Sequence, residues 1–123
     1  MQKKVSKLSL NYQLKSFGWA FSGLSYFFRT ELKPWLHFLA AVVSITMGIF
    51  LNISRAEWLF IVLAIALVFM AEILNTIVER MAENIPDEQD LIRGRIKDMS
   101  AGMVLFTAII ALIIGAIVFI PRL

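Results

Sequence analysis

The chain has 123 residues, is 59% hydrophobic and has a mean hydropathy of +0.78, too apolar for an ordinary soluble domain and too short for two. It has no Cys, so disulfide and thiolate chemistry are excluded, and a single His, which excludes a His-rich metal site. The net charge is +3; a pI near 9.5 could suggest nucleic acid, but an anionic membrane surface explains the clustered basic residues more economically, so no nucleic-acid partner is expected.

The N-terminal stretch Met1–Lys15 carries four Lys without a long apolar core and does not read as a cleavable signal. Residues 8–30 predict an amphipathic surface helix. Leu10, Leu14, Phe17, Phe21, Leu24 and Phe28 recur at alternating intervals of four and three, which makes one apolar stripe. Lys15, Ser16, Ser22, Ser25 and Arg29 fall mainly off it, and Trp19, Tyr26 and Phe27 add aromatic mass of the headgroup kind. Such a helix lies in the membrane interface, packs on partner subunits, or does both.

Three spans follow, predicted as transmembrane helices over 34–51, 57–83 and 98–120. The expected fold is an all-α membrane protein, a single membrane domain over 1–123. A soluble helical bundle with a heavy core is the alternative. Ten of the twelve Lys and Arg lie before the first span or between Arg80 and Lys97. The positive-inside rule places that side, with the N-terminus, in the cytoplasm of a multi-pass protein, and the first loop and C-terminus outside.

Span two carries the residues most costly to place there. Fourteen apolar residues, Trp58–Ala71, run without a Pro or Gly break into Glu72, Asn75, Glu79 and Glu83. At about 100° per residue these four occupy a sector of roughly 80° on one helix edge. An ionisable group at a helix centre costs about 2.5–3.5 kcal/mol on the insertion scale, so membrane carboxylates are usually functional. Glu72, the deepest and least solvated, suits a general base. Asn75 can orient a carboxylate or phosphate. Glu79 with one further carboxylate, Glu31 before span one, would hold Mg²⁺, which takes oxygen ligands.

Across the loop, Arg93, Arg95 and Lys97 can neutralise phosphates. Gly94 would let backbone N–H groups approach an anion, with Asp98 standing at the start of helix three and its N-terminus adding partial positive charge. These are the parts of phosphoryl transfer from ATP. Each also has a plainer reading. Glu79 and Glu83 could be solvated or salt-bridged end residues, and Arg93, Arg95 and Lys97 topology determinants. His37 reads as a packed or interfacial residue, not a ligand. The Walker A, Gly-rich loop and H-R-D signatures of soluble ATP-using folds are absent.

The segment Ala71-Glu-Ile-Leu-Asn-Thr-Ile-Val-Glu79, with Lys97-Asp98 and Ser100-Ala-Gly102 downstream, resembles the bacterial integral-membrane diacylglycerol kinase family, which includes the undecaprenol kinases. The resemblance extends over the surface helix, Arg29-Thr-Glu31 and the three spans in order. It implies a homotrimer in the bacterial inner membrane, with active sites at subunit interfaces, that moves the γ-phosphate of Mg-ATP to a lipid alcohol. Diacylglycerol, giving phosphatidic acid, is the expected acceptor and undecaprenol the alternative. It also implies that Glu72 is the general base, that Glu31 and Glu79 bind the metal, and that Asn75, Gly94, Lys97 and Asp98 form the nucleotide and active-site shell, with Lys97 on phosphate. Gln13 stands where an Arg is common, Trp19 where some relatives have Tyr, and Glu83 where Asp is usual. Two other classes compete: an ion-coupled transporter, whose site would lie near the midplane, and a non-catalytic assembly subunit.

Overall fold

The computed structural model describes residues 8–123, which divide into two compact units, one ending at Leu32 and one of Lys33–Leu123. The first unit holds α1, Leu10–Thr30. Ser9 caps it by accepting a 3.2 Å bond from the Tyr12 N–H, as a short hydroxyl side chain does at a helix start. Leu10, Leu14, Phe17 and Phe21 of its stripe are exposed. The Phe27 ring is buried and packs edge-on to Phe28. Helix α1 ends at Glu31, whose backbone N–H closes on the Phe27 carbonyl.

The second unit is an antiparallel three-helix bundle of α2 (Lys33–Phe50), α3 (Arg55–Ala82) and α4 (Asp90–Phe119). All three are long and apolar enough to cross a membrane. At 1.5 Å per residue α3 and α4 run about 42 and 45 Å, longer than the roughly 30 Å hydrocarbon core. Helix α3 is central and packs chiefly on α4, then on α2.

Named contacts fix the direction of each helix. Early α2 meets late α3 at His37–Glu72, and late α2 meets early α3 at Gly48–Trp58. Early α4 meets late α3 at Ser100–Asn75, and the chain end after α4 meets early α3 at Arg122–Glu57. The α2–α3 turn needs a left-handed residue, and Asn52, with φ 55°, supplies it; Asn tolerates that region better than most residues. Ser54 and Glu57 then form a reciprocal capping box that starts α3.

The apolar core lies at this end. Ile53, Ile61, Val118 and Phe119 are buried together, with Trp58 and Met47 packed against them. Gly48 permits this: a Cβ there would stand 2.7 Å from Trp58 Cη2. Glu57 accepts from the Arg122 guanidinium, which closes the same end. The opposite end, with the α3–α4 turn, carries the polar residues.

Helix α4 starts at Asp90 and not at residue 98. A 3₁₀ turn, Asp87–Gln89, leads straight into it from Pro86. Hydropathy marks only the part of a helix that meets hydrocarbon, so the polar first two turns of α4 escape it. Arg93 stabilises this entry. Its guanidinium donates to the Ile85 carbonyl at 3.1 Å and to Asp87 at 3.2 Å, and also bonds Asp90.

Candidate functional site

Two polar links cross the bundle at the end opposite the apolar core. Glu72 and Asn75 are each 2% exposed and Ser100 is 7% exposed, so all three are buried by this chain's own helices. Glu72 is therefore almost wholly screened from lipid and bulk water, with a side chain 3% exposed. It lies ten residues before the end of α3, about 15 Å along the axis.

The α3–α4 link runs through Asn75. Ser100 Oγ donates to Asn75 Oδ1 at 2.8 Å, and Asn75 Nδ2 donates to Glu79 Oε1 at 3.2 Å. The amide spans from helix to helix and then one turn along α3. Because Oδ1 faces the hydroxyl, Nδ2 is turned to the carboxylate. Every buried side-chain polar atom among the described residues has a partner, as a low-dielectric interior requires.

The α2–α3 link is His37 Nε2 to Glu72 Oε1, at 2.8 Å. The imidazole also meets the Phe69 ring edge to face, at 6.3 Å between centroids. Phe69 and Glu72 are one turn apart on α3, so the ring is fixed at two points. Beyond His37 towards the core lies an apolar cavity of about 300 Å³, lined by small residues such as Ala40, Ala64 and Gly115 and by larger ones such as Ile65, Val68 and Leu112.

The sequence-derived residues divide by position. Glu72, Asn75 and Glu79 share the α3 edge, as their spacing predicts. Lys97 is exposed and one turn before Ser100 on α4. Asp98 is also exposed and lies off that row. Glu31 caps α1 in the other unit. Gly94 and Asp98 lie inside α4, not at its start. That corrects the expected anion-binding helix N-terminus: the Gly94 amide is spent on the carbonyl four residues back. Nothing lies within 4 Å of a Cβ built at Gly94, so packing within the chain does not require a glycine there. Arg93 is likewise committed to the Ile85–Asp90 turn.

Sequence reasoning missed His37 and Ser100 as parts of the polar links. A lone His or Ser in an apolar span carries no pairing signal, since its partner sits 35 or 25 residues away. Among the described residues no three His, Asp or Glu side chains gather into a metal cluster. The donors present are still of the right kind for a hard cation. Glu79 offers carboxylate oxygens at the polar end, and Mg²⁺ sites commonly use one or two carboxylates with phosphate and water completing the shell.

Bilayer-length helices around buried polar links make this an all-α membrane protein with a polar site in its interior. A profile of the family described as prokaryotic diacylglycerol kinase matches residues 18–119. The undecaprenol kinase of Bacillus subtilis is 35% identical over 123 residues, which is 100% of both chains. The diacylglycerol kinase of Synechocystis is 32% identical over 111 residues, covering 89% of this chain and 63% of that one. The diacylglycerol kinase of Escherichia coli is 26% identical over 100 residues, or 81% and 82% of the two chains. The chain belongs to the prokaryotic diacylglycerol kinase family and is a lipid kinase.

Proposed function

We propose that this protein transfers the γ-phosphate of Mg-ATP to the terminal hydroxyl of a membrane lipid alcohol, with Glu72 as general base. The observation that carries the reading is Glu72 itself, a carboxylate 2% exposed inside a membrane bundle. A group that costs so much to place there is kept for chemistry. Its position between the apolar span and the polar end suits an acceptor that arrives from lipid and a donor that arrives from water.

Glu79 would hold Mg²⁺ on the nucleotide phosphates, and the bound ion would neutralise charge on the transferring group; Glu31, in the other compact unit, is a further candidate ligand on the family likeness alone. Lys97 would contact phosphate, and Asn75 orients Glu79. Gly94 and Asp98 belong to the nucleotide shell as part of the α4 surface, not as a helix N-terminus. The assembly is a homotrimer in the bacterial inner membrane with the N-terminus and site on the cytoplasmic face, which the Lys and Arg distribution and the family likeness support.

The acceptor is a long-chain polyprenol. Support comes from the whole-length likeness to an undecaprenol kinase, at higher identity than the two diacylglycerol kinases compared above. Diacylglycerol presents the same kind of hydroxyl and is favoured by the family description. Labelled γ-phosphate transfer, with both lipids offered side by side in one bilayer mimic, decides between them. Faster labelling of undecaprenol is expected. Faster labelling of diacylglycerol reverses the acceptor, and no lipid labelling above a no-enzyme control rejects the kinase reading. Glu72→Gln should abolish transfer while the protein still folds and assembles; wild-type turnover by that variant would remove the base assignment.

A further inference from the structure

We infer that His37 is a positioning residue for Glu72. The inference rests on the kinase reading above and goes beyond it by assigning which carboxylate oxygen is held and which one reacts. A base must be ionised, and an ionised carboxylate only accepts hydrogen bonds. The 2.8 Å contact is therefore an Nε2–H donating to Oε1. Holding Oε1 leaves Oε2 for the acceptor hydroxyl.

The surroundings make this more than a packing contact. The Glu72 side chain is 3% exposed and that of His37 26%. A charge so desolvated is tolerated only with a hydrogen-bonding partner. His37 supplies it from the neighbouring helix, and the bond fixes the carboxylate's rotation. The imidazole is held in turn by the Phe69 edge contact and by its place in the first turns of α2, where Pro34 is fully buried. A group oriented through two constrained neighbours loses little freedom when substrate arrives, which is how a positioning residue raises the rate.

In the step itself, the lipid hydroxyl oxygen forms a bond to the γ-phosphorus. The bond from that phosphorus to the β–γ bridging oxygen breaks, and its electron pair leaves with ADP. The hydroxyl proton goes to Glu72 Oε2 and is released to solvent before the next turnover. His37 keeps its Nε2–H on Oε1 throughout and exchanges no proton with substrate.

The test uses the full chain in a bilayer mimic and two substitutions. His37→Phe keeps an aromatic ring against Phe69 and removes the nitrogen. His37→Gln keeps a donor at the position of Nε2. The expected result for His37→Phe is a fall in kcat of about 10- to 100-fold with the KM for ATP changed less than about threefold, on the scale expected for partial loss of a positioned base. His37→Gln should recover most of the lost kcat. A merely structural histidine predicts the reverse ranking, because Phe fills the site better than Gln. Unchanged kcat in His37→Phe, or equal impairment in both variants, overturns the inference. If His37→Phe does not fold, a His37→Gln variant with less than about a tenth of wild-type kcat overturns it instead. Glu72→Gln run in parallel separates the two levels: an inactive Glu72→Gln beside a fully active His37→Phe rejects the positioning role and leaves the kinase reading standing.

Discussion

Ser100 on α4 and Asn75 on α3 are joined by a 2.8 Å hydrogen bond in which the hydroxyl donates to the amide oxygen. The bond decides the orientation of the amide, and through it Asn75 Nδ2 presents to Glu79. A contact between two neutral residues thus orients a carboxylate one turn further along.

Ser100→Ala should therefore act on two observables together. It leaves Asn75 Oδ1 buried without its donor, at a cost of about 1–3 kcal/mol. The thermal midpoint in detergent should fall accordingly. With the amide free to turn, the Mg²⁺ concentration for half-maximal activity should also rise. Ser100→Thr, which keeps the hydroxyl, should restore the metal dependence. A lower midpoint with unaltered Mg²⁺ dependence would separate Ser100 from the site.

Glu79→Gln keeps the shape of the side chain and removes its charge. A metal site built on Glu79 predicts a several-fold rise in the Mg²⁺ required, since carboxylates are the strong protein ligands for this cation. Titration of kinase activity against free Mg²⁺ at saturating ATP reads it directly. An unchanged Mg²⁺ requirement would assign Glu79 to the Asn75 bond alone.

Arg93 and Lys97 lie one turn apart on α4 but should differ in phenotype. Arg93 is committed to the Ile85 carbonyl, Asp87 and Asp90. Arg93→Ala should loosen the α3–α4 turn, read as faster proteolysis there, with little change in the KM for ATP. Lys97→Ala should raise that KM and leave the turn intact. The opposite pairing of phenotypes would make Arg93 the phosphate contact.

Gly48→Ala probes the far end of the bundle. The added Cβ would stand 2.7 and 2.9 Å from two atoms of the Trp58 ring and 3.1 Å from Ile53. The indole must shift, and overpacking of this kind costs about 1–3 kcal/mol. The thermal midpoint should drop while kcat per folded molecule holds, because the polar site lies at the other end. A loss of kcat without a loss of stability would show that the two ends are coupled.

The sequence alone determined the membrane class, because apolar runs of bilayer length are too many for a chain of 123 residues to bury in a soluble core. It also determined that Glu72, Asn75 and Glu79 share one edge, because helical periodicity is local. It placed the start of α4 at residue 98 and not at Asp90, because hydropathy registers hydrocarbon and not the polar turns that precede it. Only the tertiary structure decided what those side chains touch. His37 and Glu72 are 35 residues apart in the chain and 2.8 Å apart in space, and Arg93, which the sequence offers as a phosphate contact, is spent on the α3–α4 turn. Pairings across helices depend on which faces pack together, and packing is settled by shape between distant segments, such as Trp58 over Gly48, not by any spacing within one of them.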